Sequence, residues 1–195
     1  MKRILFLAAL CLSLQANAQK DKREEGFKFG VKGGLNVSNF MSDDLEDNAI
    51  RTSIHLGIAT EFIISDKWSF QPELYYSGQG FSNQDPDGFS REKFNYINLP
   101  LIAKYYVTKN LSVEVGPQVG LLLSAKNKTN DTNDDIEDQK AIDFGLIGGL
   151  GYELSNGVFF QARYNLGLTN INDGPSATSV KYTNSVILLS VGAFF

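Results

Sequence analysis

Cysteine is almost missing from this chain. Cys11 is the only one in 195 residues, and it lies in an N-terminal stretch that reads as a removable leader. The mature chain is therefore expected to hold no disulfide and to do no thiolate chemistry. Histidine is also single, at His55. After the leader no run of about 18 uninterrupted apolar residues occurs, which excludes a transmembrane helix. No basic cluster is visible along the sequence, and the chain is acidic, with 18 Lys and Arg against 22 Asp and Glu. Removing Lys2 and Arg3 with the leader takes the net charge from −4 to about −6. That balance argues against a nucleic-acid partner. Proline is sparse, tryptophan occurs once, and no low-complexity linker divides the chain, so the length fits one domain.

What is present begins with the leader itself. Met1, Lys2 and Arg3 form a basic start, Ile4 to Leu14 an apolar stretch too short to span a bilayer as a helix, and Ala16-Asn17-Ala18 a small-x-small cleavage site. The sequence predicts a signal peptide over residues 1–18, a mature start at Gln19, a short periplasmic segment over 19–26 and one folded domain over 27–195. Leu10 precedes Cys11 where lipoprotein processing needs a small residue, so acylation is not expected.

From Phe27 onward apolar side chains recur at every second position in eight segments, a period that belongs to strands and not to helices. Phe27, Phe29, Val31, Leu35 and Val37 share one face of the first segment, opposite Lys28, Gly30, Lys32, Gly34 and Asn36. The last runs from Val186 to Phe195 and ends on an aromatic residue. Ser65-Asp66-Lys67, Thr108-Lys109-Asn110 and Ser155-Asn156-Gly157 are tight turns. Longer polar loops are predicted at roughly 41–49, 82–91, 125–140 and 172–180. Short turns at one end and long loops at the other are the plan of an all-β, eight-stranded antiparallel up-and-down transmembrane β-barrel. Both chain ends then fall on the short-turn, periplasmic side, and the long loops face outward.

Volume decides which face is inside. Eight strands enclose an interior just wide enough to be filled by side chains. The apolar face carries Phe, Tyr, Leu, Ile and Val on every strand and would not fit there. The other face carries Gly30, Gly34, Gly57, Gly116, Gly120, Gly145, Gly149, Gly151, Gly167 and Gly192 among polar groups. The apolar face is therefore expected against lipid, where only a closed barrel pairs every backbone group of its strands. Pro72 and Pro117 have lipid-facing parity and lack a ladder donor, which predicts a bulge or a rim position at each.

The same parity turns five bases inward, Lys28, Lys32, Arg51, Lys104 and Arg163, and five acids, Glu61, Glu73, Glu114, Asp143 and Glu153, together with His55. Charges removed from water need partners. A balanced set in a narrow lumen reads as an interlocked plug, with a narrow gated channel for ions or small solutes as the alternative. Single-channel recording separates the two.

Tyr96-Ile97-Asn98-Leu99-Pro100-Leu101-Ile102-Ala103-Lys104-Tyr105-Tyr106 and Phe27-Lys28-Phe29-Gly30-Val31-Lys32-Gly33-Gly34-Leu35-Asn36 resemble, respectively, a "Y-x-x-[IL]-P-L-L-x-K-Y" run and a "G-x-K-x-G-x-N" first strand. Both are characteristic of the small porin-like outer-membrane β-barrel proteins of OmpA/OmpX-type architecture, in the single-domain form common in Bacteroidetes. The resemblance covers the whole mature chain. It implies an outer-membrane location and reading of the terminal Phe195 by the barrel-assembly machinery, although Ala193 stands where many such signals have a second large residue. It implies no shared catalytic residues, no cofactor, and no C-terminal peptidoglycan-binding domain after Phe195.

A lipid A-modifying enzyme is a remote alternative. Ser53 and Glu61 share the strand face of His55 but are spaced along it, so no triad is evident. The loops carry two acidic clusters, Asp43, Asp44, Glu46 and Asp47, and Asp131, Asp134, Asp135, Glu137 and Asp138. The second does not fit a calcium-binding EF-hand, because Ile136 and Ile142 occupy the positions of the required Gly and Glu. No metal site is predicted, and solvated charge is the plain reading. The sharper one is divalent-cation bridging to lipopolysaccharide or to an unknown extracellular ligand. Trp68, Tyr105, Tyr152 and Tyr164 have outward parity and are expected in interfacial girdles. Phe194 has inward parity and is expected at the periplasmic rim, below the filled lumen. The expected partners are outer-membrane lipid and lipopolysaccharide, for a monomeric, non-enzymatic barrel.

Overall fold

The computed structural model describes residues 26–41, 51–85, 88–129, 132–135, 140–169 and 183–195. They form nine strands: β1 (Gly26–Met41), β2 (Arg51–Ile63), β3 (Trp68–Asp85), β4 (Gly88–Tyr106), β5 (Leu111–Thr129), β6 (Thr132–Asp135), β7 (Ile142–Glu153), β8 (Val158–Gly167) and β9 (Thr183–Phe194). Every pairing is antiparallel. The order β4-β3-β2-β1-β9-β8-β7-β5 closes on itself through β4–β5, so eight strands make a barrel, and the short β6 pairs with β5 past the end of the β5–β7 ladder. Among the described residues there is no helix.

The alternation in the sequence becomes the two surfaces of the wall. Phe27, Leu56, Leu121, Phe144 and Val191 are exposed on the outside, while Lys32, Glu61, Glu73, Lys104, Glu114 and Arg163 are buried inside. A water-soluble fold inverts this arrangement, so the solvent of the outer face is hydrocarbon. Closure leaves no backbone edge facing that solvent. The three turns named above join β2 to β3, β4 to β5 and β7 to β8. At the last, Gly157 has φ of 82°, a left-handed conformation that glycine adopts without steric cost.

Three expectations are corrected. Pro72 and Pro117 lie well inside β3 and β5 and produce no bulge. The β2–β3 ladder skips from Ala59↔Glu73 to Phe62↔Phe70, and the β4–β5 ladder from Pro100↔Gln118 to Ala103↔Val115, with the register unchanged on either side. Missing donors thin the ladder without adding a residue. The shift in register comes instead between Asn95 and Tyr96. The polar stretches 82–91 and 125–140 are not wholly loops. β3 and β4 run on to Asp85 and Gly88, β5 continues to Thr129, and Asp134 and Asp135 belong to β6. Backbone pairing needs no apolar side chains once the wall has left the membrane. Finally, the lumen is not filled by glycine and polar groups alone. Tyr75, Tyr96, Phe94, Phe159, Ile102, Ile147 and Leu188 also point inward and are buried.

The inward glycines make that filling possible. A side chain at Gly57 would collide with Tyr75, one at Gly192 with Phe159, one at Gly149 with Arg163 and one at Gly151 with Glu114. Each of these four inward groups lies over a strand position that has no Cβ.

Candidate functional site

Among the described residues the lumen gathers a connected set of buried, charged side chains. At its centre six charged groups from six strands alternate in sign. Lys32 Nζ of β1 is 2.8 Å from Glu73 Oε2 of β3, with both side chains at 0% exposure. Glu73 Oε1 is 2.8 Å from Arg163 Nη1 of β8, and Arg163 Nε is 2.6 Å from Glu114 Oε2 of β5. Glu114 Oε1 lies 3.7 Å from Lys104 Nζ of β4, which lies 3.5 Å from Glu61 Oε2 of β2. The chain of charges sums to zero and crosses the lumen from wall to wall.

Neutral donors fill the gaps. Lys32 also donates to Gln161 and Lys104 to Gln71, each at 2.9 Å. Gln71 donates to Glu73 at 2.5 Å, and the Tyr106 hydroxyl donates to Glu61 at 2.6 Å. Tyr75 donates to Gln118 at 2.5 Å, while Lys32 Nζ sits 5.3 Å from the centre of its ring. Buried charge is tolerated when each partner is also hydrogen-bonded; each carboxylate of this layer accepts at least one hydrogen bond, while Arg163 Nη2 has no hydrogen-bond partner.

Towards the short-turn end the filling is aromatic. Phe159 and Phe194 stack at 4.5 Å between ring centroids and pack with Ala59. Lys104 and Lys28 lie 5.8 and 5.7 Å from the Phe194 ring centre, within cation–π range. Lys28 pairs with Glu153 at 2.5 Å at the rim, where both side chains are partly exposed. Phe194 therefore belongs to the filled lumen itself and forms its floor.

Towards the other end the filling is amide, hydroxyl and imidazole. Asn36 Nδ2 donates to the Gly78 carbonyl at 2.7 Å and to Ser77 Oγ at 2.9 Å. That leaves Asn36 Oδ1 to accept from His55 Nδ1 at 2.7 Å, so His55 Nε2 is free to accept the Ser190 hydroxyl at 2.8 Å. His55 thus lies between Ser190 and Asn36, side chains of the two neighbouring strands β9 and β1. Arg51 donates to the carbonyls of Gln79 and Glu92. Ser38 donates to the Gly80 carbonyl at 2.8 Å. These bonds tie β3, where it runs past the end of β2, to side chains of β1 and β2. Asp143 is buried in β7 opposite Gly120.

The structure buries Lys32, His55, Glu61, Glu73, Lys104, Glu114, Asp143 and Arg163 inside the wall, and places Lys28 and Glu153 at the rim and Arg51 against the Gln79 and Glu92 carbonyls. The neutral members Asn36, Gln71, Gln161 and Ser190 share the inward parity of the charged ones in the sequence; their partners are set by register and are not visible there. Phe159 was legible, since it has inward parity in β8. Of the acidic clusters, Asp134 and Asp135 lie in β6; Asp43, Asp44, Glu46, Asp47, Asp131, Glu137 and Asp138 lie outside the described residues. Trp68 and Tyr105 pack together at 4.9 Å beside the short turns, and Tyr152 is outward near the end of β7. Tyr164 sits mid-strand, opposite Gly148, where its hydroxyl accepts from Ser185 at 2.6 Å. In the β4–β5 ladder Lys93 is the backbone partner of Lys126, a pairing of residues far apart in the chain that a linear search does not find.

Comparison with known proteins follows the same line. Residues 17–173 match the family described as outer membrane protein beta-barrel domain. No curated protein matches the chain. Among solved structures, Ail, the attachment invasion locus protein of Yersinia pestis, aligns over 88% of this chain and 100% of its own, with 14% identity and a TM-score of 0.55. Neisserial surface protein A aligns over 88% and 100%, with 16% identity and a TM-score of 0.58. At these identities the likeness is one of fold.

Proposed function

Because this chain belongs to the family of outer membrane protein β-barrel domains, we propose that it is a closed, non-conducting and non-enzymatic barrel that holds its extracellular end as a rigid platform for surface interactions. The observation that carries this reading is the six-membered charge chain from Lys32 to Glu61, buried from wall to wall. An open path for ions needs water along the axis. Here the axis is occupied by paired charges, with stacked Phe159 and Phe194 beneath them. The short turns and both termini face the periplasm in this reading, and the polar segments at the other end face outward, where binding functions sit on rigid scaffolds.

Purified protein reconstituted into planar bilayers tests the closed lumen. The expected record is a flat baseline over the voltages the bilayer withstands. A steady open conductance in the wild type would overturn the plug in favour of a narrow channel. The Ser190–His55–Asn36 chain is hydrogen-bonded like a nucleophile, base and orienting group, but Ser190 and His55 are buried among filled lumen side chains. A fluorophosphonate probe is therefore expected to leave Ser190 unlabelled in the folded protein. Covalent labelling that His55→Ala abolishes would return the enzymatic reading.

A further inference from the structure

The outer wall of β5, β7, β8, β9 and β1, five neighbours in the ring of eight, carries a furrow of about 520 Å³. The strand registers give its form. Leu111, Tyr152, Phe160 and Val191 are successive ladder partners and make its lower wall. Leu150, Ala162, Leu189 and Leu35 are successive partners one outward row higher and make its upper wall. The floor is the backbone of the inward row between them, from Gly151 to Gly34. Two outward rows stand about 7 Å apart along the strands. A methylene midway is then about 3.5 Å from each, the best contact distance for carbon. The upper wall dips at Ala162. In the next row up Gly148 has open space where a Cβ would be. Tyr164 leans away from the furrow, toward Ser185 opposite Leu166.

The course of the furrow selects its occupant. Leu111 opens β5 and Tyr152 is the last residue but one of β7, so this end lies at the short turns. Ala162 is the fifth residue of β8, Leu189 the seventh of β9 and Leu35 the tenth of β1. Across five strands the furrow therefore climbs from the short-turn rim to the middle of the wall, over roughly 19 Å at about 4.8 Å per strand spacing. It also turns through about half the circumference, five strands of eight. A second barrel is convex and closed, and it meets only the few strands that face it. A hydrocarbon chain has soft torsions and bends with the wall. The side chains of both walls are aliphatic or aromatic, so polar headgroups belong only at the rim.

We propose that the furrow binds one acyl chain of a phospholipid of the periplasmic leaflet, with the headgroup at the β4–β5 turn beside Leu111 and the chain end at Leu35. Close packing holds the chain, and not expulsion of water, because the competing bulk chains are equally apolar. The site rests on the orientation proposed above and not on the closed lumen, so a barrel that conducted and still held the lipid would overturn only the earlier reading.

Photo-crosslinking of the full mature protein in phosphatidylethanolamine–phosphatidylglycerol vesicles tests the site. The probe is a trace of phosphatidylethanolamine with a diazirine at either the carboxyl end or the methyl end of one acyl chain. The carboxyl-end probe should label peptides holding Leu111 and Tyr152, and the methyl-end probe those holding Leu189 and Leu35. Each should exceed labelling of the β2–β3 wall at the same depth roughly tenfold, the worth of about a dozen chain contacts. Ala162→Phe fills the dip and should bring labelling down to that of the β2–β3 wall. Ala103→Phe adds the same bulk on the outer face of β4, in the row of Phe70 and Val115, and should leave it unchanged. Heat-dependent gel migration checks that each variant is folded. Even labelling around the wild-type wall, the same peptides labelled from both ends of the chain, or undiminished labelling in folded Ala162→Phe would overturn the proposal. A dimer in native mass spectra whose contact excludes the probe from the furrow would also overturn it, with a second copy as the occupant.

Discussion

Arg163 joins Glu73 to Glu114 at 2.8 and 2.6 Å, and its loss removes a cation from two buried carboxylates at once, leaving the layer with one excess negative charge. Breaking one partner out of a buried ionic set costs about 3–5 kcal/mol. Arg163→Met is expected to lower unfolding stability by that amount, read from the urea midpoint of the folded gel band. Adding Glu114→Gln to Arg163→Met should recover part of it, because the pairs Lys32–Glu73 and Lys104–Glu61 then remain balanced. Glu92 gives a pH signature outside the membrane. Burial alone pushes its carboxyl up from the ordinary value, so the folded protein holds that proton where the unfolded chain has released it. Its contribution to stability is therefore lost as pH rises from the unfolded carboxylate range through the raised folded value. Glu92→Gln should flatten that part of the stability–pH curve and stabilise the protein above it; an unchanged curve would contradict the assignment. At this scale the inward direction of each charge was legible in the sequence, because period two fixes the face. Who pairs with whom was not, because the partners of Lys32 and Lys104 depend on how far each strand slides past the next. The placement of His55 between Asn36 and Ser190, residues on β1 and β9, is a case of the same limit.

Among the elements, the inward glycines set how close large side chains come to neighbouring strands. At Gly57 the obstruction is partly backbone, the Leu74 carbonyl and the Tyr75 Cα, so no rotamer change relieves it. Gly57→Val is expected to abolish refolding, seen as loss of the heat-modifiable band, whereas Gly148→Val, with open space around the new Cβ, should refold as wild type does. Strand existence and facing were legible from alternation alone. Strand length was not. β4 and β5 each span 19 residues, about twice what a membrane crossing needs, and their outer halves carry polar sequence that reads as loop. The bulge at Asn95/Tyr96 was equally hidden, since no proline or glycine marks it, while Pro72 and Pro117 sit in unbulged strands.

For the whole molecule, eight strands closed in a ring leave one interior and one exterior, and everything above depends on which is which. The sequence settled this by volume: too many large apolar groups for a narrow lumen, and glycines where space is short. It underestimated how many large groups the glycines admit, Tyr75 and Phe159 among them. Trp68 tests the assignment most directly. It is the only tryptophan, 51% exposed on the outer wall beside Tyr105. Its fluorescence should be strongly quenched when the protein is reconstituted in lipids brominated on their acyl chains, and more by bromines near the headgroup than by deep ones. Emission indifferent to brominated lipid would contradict an exterior that faces hydrocarbon.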